Sequence, residues 1–179
     1  APMKKATILI FALAISTCSR SPGMLEEVLN SGELRVITLN SPTTVYQDGR
    51  GYEGPEYLLV KGFAEHLSTK YQRSIDVHLT TTDRYADLLP AVENHTFHLA
   101  AAGPAVTPER QQRVAFGPAY QEVKHQLIYR LHNRKPRSMK DLQGKKLEIV
   151  AGSAYAAKLG EHRSQFPNLA WSEDPKSKA

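Results

Sequence analysis

The chain has 179 residues, 41% of them hydrophobic, with 23 Lys and Arg against 18 Asp and Glu and a formal net charge of +5. That length leaves room for one domain or slightly more and for a real core, and the composition excludes a disordered tail. A single cysteine excludes an intramolecular disulfide framework and any Cys-rich zinc site. The charge is uneven: residues 1–129 carry 12 basic and 13 acidic side chains, and residues 130–179 carry 11 and 5. A basic segment points to nucleic acid, to an anionic membrane, or to a region whose balancing acids lie further along.

Lys4 and Lys5 precede an apolar run from Ala6 to Ile15, broken only by Thr7. At about ten residues it is too short to span a bilayer. A basic start, a short apolar run and small residues after it predict a secretory signal over residues 1–17. The lone Cys18 follows in Ile15-Ser16-Thr17-Cys18, which resembles the lipobox of bacterial lipoproteins. Thr17 departs from the Gly or Ala preferred there, and Ala12-Leu13-Ala14 offers ordinary cleavage as the alternative. The expectation is lipidation at Cys18, with residues 18–23 as a tether. An exported chain excludes nucleic acid as the partner of the basic segment.

Met24, Leu25, Val28 and Leu29 recur at helical spacing before Ser31-Gly32. Leu34 to Leu39 reads as a buried strand, and Gln47 to Gly51 as a turn. Pro55 suits the first turn of a helix over Glu56–Ser68, with Tyr57, Val60, Phe63, Ala64 and Leu67 inward. Ile75, Val77 and Leu79 alternate as a strand, Tyr85–Glu93 forms an amphipathic helix, and Leu99–Ala102 forms a short central strand. A crossing follows Arg110. Gln126–Arg130 reads as a strong strand, Met139–Leu142 as a helical turn, and Leu147–Val150 as a strand. A helix opens at Gly152-Ser153, and Leu169–Trp171 is a last strand. This order predicts an α/β fold with a mainly parallel sheet.

Open α/β sheets bind ligands beyond the carboxyl ends of their strands. Three segments occupy such positions: Asn40–Tyr46, Gly103–Arg110 and Ala151–Tyr155. Gly103 permits close approach to the backbone, and Arg110 offers a planar fork for a carboxylate. Gly152-Ser153-Ala154 offers N–H groups at a helix start, and Tyr46 offers an apolar wall. Together they predict a cleft for a small anionic ligand. Each also has a plainer reading: a solvated Arg110, a capping Ser153 and a loop Tyr46. His95 and His98 stand three apart and read as a solvated pair rather than a zinc site. Glu26-Glu27 reads as the solvated face of the first helix. No metal or cofactor site is expected, and no catalytic residue is assigned.

Asn30 to Thr38, Leu99 to Gly103, Thr107-Pro108-Glu109-Arg110 and Phe116 to Tyr120 resemble the family 3 bacterial solute-binding proteins. Arg35 to Pro42, Gln47-Asp48, Gln126 to Arg130, Arg134 to Arg137, Asp141 to Lys145 and Phe166 to Trp171 narrow this. They resemble the solute-binding modules of membrane-bound murein lytic transglycosylases. The likeness covers about residues 24–173. It implies a periplasmic-binding-protein-like two-lobed flytrap, with lobe one over 24–125 and an incomplete lobe two over 126–179. It also implies an amino acid or cell-wall peptide as ligand. Arg110 takes the carboxylate-binding position, Gly103 the backbone-binding glycine, Ser153 the hydroxyl of lobe two and, approximately, Tyr46 the aromatic wall. Ala105 stands where transport proteins often have a hydroxyl, and Pro55 where the family has an aromatic or aliphatic residue.

The resembled full-length enzymes cut peptidoglycan through a Glu-Ser motif in a lysozyme-like domain, and this chain has no Glu-Ser dipeptide. The resemblance therefore implies a non-catalytic sensing module, periplasmic and tethered to the outer membrane. Two alternatives stay open: an amino-acid receptor lipoprotein of a transporter, and a nonfunctional truncated remnant.

Overall fold

The computed structural model describes residues 23–175. The expected signal, the tether and Cys18 lie outside the described residues. Helix α1 (Met24–Ser31) stops where Gly32 turns left-handed at φ 73° and donates its N–H to the Val28 carbonyl. A side chain at Gly32 would sit 3.1 Å from the Ser74 carbonyl, so glycine satisfies both the turn and the approach.

Strand β1 (Glu33–Leu39) follows at once. A hairpin of β2 (Tyr46–Asp48) and β3 (Gly51–Glu53) forms around the predicted turn. Helix α2 (Pro55–Tyr71) starts one residue after Gly54, whose Cβ would lie 2.3 Å from the Thr44 carbonyl. Strand β4 (Asp76–Thr82) pairs in parallel with β1 along its whole length. A tight turn over Tyr85–Asp87 leads into α3 (Leu88–Glu93), and β5 (Leu99–Ala100) pairs with the other side of β1.

The first sheet therefore has the order β4-β1-β5. The centre of this sheet is β1, and Leu99–Ala102, expected there, is its edge among the described residues. The reason is length: only Leu99 and Ala100 pair as strand before the chain turns away. Apolar residues on β1, interrupted by Arg35 and Thr38, point to both faces because both are covered. Leu34 and Val36 pack with Val28, Val60, Ala64, Leu67 and Ile75. Ile37 and Leu39 pack on the other face with Tyr85, Leu88 and Ala102. Phe63, expected inward, is exposed. It lies at the margin of the narrow stripe made by Val60, Ala64 and Leu67.

His98 is buried and acts as a strap rather than a solvated side chain. Its Nδ1 accepts the Arg35 backbone N–H at 3.0 Å, and its Nε2 faces Glu27 Oε1 at 3.4 Å. Glu27 also takes the Arg35 guanidinium at 2.8 Å, so it is not merely a solvated helix face. These contacts tie α1 to β1 and to the loop before β5.

Helix α4 (Pro108–Gln111) follows, capped by the Thr107 hydroxyl. A second, parallel pair is formed by β6 (Leu147–Val150) and β7 (Trp171–Asp174), with α5 (Tyr155–Gly160) between them. The strong strand expected over Gln126–Arg130 is absent: this stretch pairs with no strand among the described residues. Ile128 is 94% exposed and nearby Leu131 is 89% exposed. Strand-forming side chains stabilise a sheet by packing on neighbours, and among the described residues no strand pairs with this stretch. No described helix is long and apolar enough to cross a membrane.

Candidate functional site

The carboxyl end of the first sheet brings three chain segments together. Beyond β5 the backbone turns at Gly103, which is left-handed at φ 58°, and reaches the short α4. That helix carries Arg110, which is only 6% exposed. Its Nη1 donates to the Ala105 carbonyl at 2.8 Å, and its Nη2 donates to the Gly152 carbonyl at 2.8 Å. The guanidinium lies 5.9 Å from the centre of the Tyr85 ring, within cation–π range. Among the described residues no ion pair includes Arg110. A buried cation is thus held by two neutral acceptors, one from each side of the site.

Gly152 lies close against the Tyr85–Asp87 turn. It is left-handed at φ 73°, and a Cβ there would fall 2.7 Å from the Ala86 Cα. Val150 and Tyr155, on either side of it, pack into the cluster formed by Ile37, Leu39, Tyr85, Leu88 and Ala102. Tyr155 also meets His125 edge to face at 4.8 Å.

Opposite Arg110, the loop at Gly103 faces a carboxyl group. Glu56, in the first turn of α2, is only 7% exposed. A Cβ at Gly103 would lie 3.6 Å from Glu56 Oε1 and 3.4 Å from Tyr120 Oη. The Tyr120 hydroxyl donates to Glu56 Oε1. Burial, followed by this hydrogen bond, raises the Tyr120 pKa above its ordinary value, so the phenol stays a donor.

Of the four ligand-contact residues expected from sequence, Gly103 lies on the loop that leads into α4, and Arg110 lies on α4. Ser153 lies beside Gly152, but its hydroxyl donates to the Val150 carbonyl at 2.6 Å, and its N–H bonds the same carbonyl at 3.2 Å. The free N–H groups expected at this helix start are therefore partly consumed by the turn itself. Tyr46 opens β2 opposite Glu53 and is 39% exposed, and the aromatic ring in contact with Arg110 is that of Tyr85. Tyr85 and Glu56 were not singled out in the sequence, because each stands at a helix start that its pattern already explains. The signals were there: Asp83-Arg84-Tyr85 and Gly54-Pro55-Glu56 each follow a strand end and precede a buried helix face.

A parallel sheet whose carboxyl edge carries a buried arginine, a glycine turn and an aromatic ring defines a small-solute-binding fold. Residues 34–168 match the bacterial extracellular solute-binding proteins, family 3, and the chain belongs to that family. Its relatives include the membrane-bound lytic murein transglycosylase F of Saccharophagus degradans, 38% identical over 167 residues. The same-named protein of Cellvibrio japonicus is 35% identical over 164 residues. The alignments take in 92% of this chain but 32% of each relative, so the chain spans about a third of their length. Among solved structures, an ancestral amino-acid-binding protein, a precursor of cyclohexadienyl dehydratase, superposes with a TM-score of 0.65. It is 23% identical, over 86% of this chain and 66% of that one. An ancestral arginine-binding protein bound to arginine gives a TM-score of 0.62 at 24% identity, over 80% and 61%. The fold is therefore that of the periplasmic amino-acid-binding proteins, the two-lobed flytrap.

Proposed function

We propose that this chain is the ligand-sensing module of an exported protein that acts in peptidoglycan turnover, and that it binds an amino acid or a cell-wall peptide through a carboxylate. The observation that carries this reading is Arg110: a buried, planar cation between two chain segments whose donors rest on backbone carbonyls. A carboxylate is a stronger acceptor than a peptide carbonyl and fits the guanidinium fork. An incoming carboxylate replaces the Gly152 carbonyl on Arg110 and releases the β6–α5 loop from its present seat.

Gly103 adds a close backbone contact, Ser153 reorients its hydroxyl toward the ligand, and the aromatic wall comes from Tyr46 or Tyr85. Residues 24–125 act as lobe one and residues 126–179 as the start of lobe two. The two arrangements of the Gly152 loop are the states that a ligand shifts. In a longer protein of the transglycosylase kind, that shift regulates the attached catalytic domain. Export by residues 1–17 and lipidation at Cys18 place the module in the periplasm, tethered to the outer membrane.

Calorimetric titration of the chain with the L-amino acids and with a peptidoglycan stem peptide tests this. At least one is expected to bind, and Arg110→Ala is expected to weaken it about tenfold or more, the scale of a charge-assisted hydrogen bond. Unchanged affinity in Arg110→Ala would contradict the reading.

A further inference from the structure

A cleft of about 810 Å³ opens between the stretch around Ile128 and the chain that leads into β6, and it shares no residue with the Arg110 site. Five cations line it, Arg130, Arg134, Lys135, Lys145 and Lys146, against one carboxylate, Asp141. That carboxylate is turned to the backbone: its Oδ2 accepts the N–H groups of Arg137 and Ser138 at 2.8 and 3.1 Å. Among the described residues no ion pair includes any of the five cations. The excess is local: residues 127–147 hold seven Lys and Arg and one Asp. Like charges gathered on one face repel one another, and an anionic partner relieves that repulsion. The cleft is not purely polar. Ile128 lines it and is almost fully exposed, as is Leu131 in the same stretch.

A soluble polyanion complements the cations but gains nothing from bare aliphatic side chains. The interface of an anionic bilayer complements both: phosphate headgroups meet Lys and Arg, and the acyl boundary takes Ile and Leu. We propose that the 127–147 region is a docking surface for an anionic phospholipid bilayer. Arg130, Arg134, Lys135, Lys145 and Lys146 contact headgroup phosphates, and Ile128 and Leu131 enter the boundary below them. The contact is peripheral, in keeping with the absence of a membrane-crossing helix among the described residues. It depends neither on ligand binding at Arg110 nor on a lipid at Cys18. A basic patch combined with an acyl chain holds a membrane more firmly than either alone.

Co-sedimentation of the 179-residue chain with vesicles tests this. One set is pure phosphatidylcholine and the other is equal parts phosphatidylcholine and phosphatidylglycerol. Wild type and variants share residues 1–22, so differences among them read the cleft. The wild type is expected to bind the phosphatidylglycerol vesicles about tenfold or more tighter than the neutral ones. Lys145→Glu/Lys146→Glu is expected to weaken that binding about tenfold or more, and Lys145→Gln/Lys146→Gln to weaken it less. Lys61→Glu/Lys70→Glu changes the net charge equally on exposed α2 positions, and is expected to leave binding within about twofold. Ile128→Ser/Leu131→Ser keeps every charge and is expected to weaken binding about threefold or more. Equal binding to both vesicle types would overturn the proposal, as would equal losses in the Lys145/Lys146 and Lys61/Lys70 variants. Unchanged binding in Ile128→Ser/Leu131→Ser would mean a charge contact without a bilayer boundary, and would overturn it. Retention on heparin-agarose without binding to phosphatidylglycerol vesicles would assign the cleft to a soluble polyanion, and would overturn it too.

Discussion

The β4-β1-β5 sheet and the β6-β7 pair are built to different standards. Around β1, every residue from Leu34 to Leu39 except half-buried Arg35 is buried, and helices cover both faces. Between α4 and β6 the chain runs for more than twenty residues without a strand, and Ile128 and Leu131 face solvent. The candidate site sits on the border. Arg110, Gly103, Glu56 and Tyr85 stand on the packed side, whereas the other side reaches them through Val150, Gly152 and Tyr155. The groups proposed to read the ligand thus stand on the densely packed side, and the loop proposed to answer them on the loosely packed one.

Substitutions should expose this difference in order. Leu88→Ala, in the packed cluster, is expected to cost about 2–5 kcal/mol, measured by urea unfolding. Gly152→Ala places a Cβ 2.7 Å from Ala86 Cα at a positive φ; it is expected to cost about 1–3 kcal/mol. It should also raise the hydrogen exchange of β6 more than that of β1. If the two changed together, the sheets would unfold as one unit.

Glu27 gives a smaller, pH-dependent effect. Its hydrogen bond with Arg35, then that with His98, holds its carboxyl below the ordinary value of 4.5. A depressed folded pKa contributes stability above the unfolded value, and that contribution is lost as pH falls through the folded one. Unfolding midpoints of wild type and Glu27→Gln should therefore differ at pH 7 and converge as pH falls below the ordinary carboxylate range. A constant difference would remove Glu27 from the strap. Ile128→Thr, on the loosely built side, is expected to change stability by no more than about 0.5 kcal/mol.

What the sequence revealed follows the same division. The helices and strands of the first sheet are legible because burial shapes their pattern: Val60, Ala64 and Leu67 on α2, and Leu34, Val36, Ile37 and Leu39 on β1. Gln126–Arg130 carries the same strand-forming side chains and yet pairs with nothing described, because strand propensity reports a fit to neighbours. Arg110 and Gly103 were legible because they follow a strand end. Ser153 was only half legible: the sequence puts a hydroxyl by Gly152, and the turn uses it. Tyr85 and Glu56 were hidden because their positions were already explained as the starts of helices. His98 looked like a surface residue because its partners, Glu27 and the Arg35 N–H, are far away in sequence.

The central claim is that Arg110 exchanges the Gly152 carbonyl for a ligand carboxylate. Gly152-Ser153 is the only Gly-Ser peptide in the chain, so carbonyl-labelled glycine with nitrogen-labelled serine isolates one NMR signal. The account predicts that the Gly152 carbonyl shift moves in Arg110→Ala, and moves the same way in the wild type when the tightest-binding amino acid of the calorimetric series is added. A signal that ligand leaves in place, while Arg110→Ala displaces it, would contradict the account.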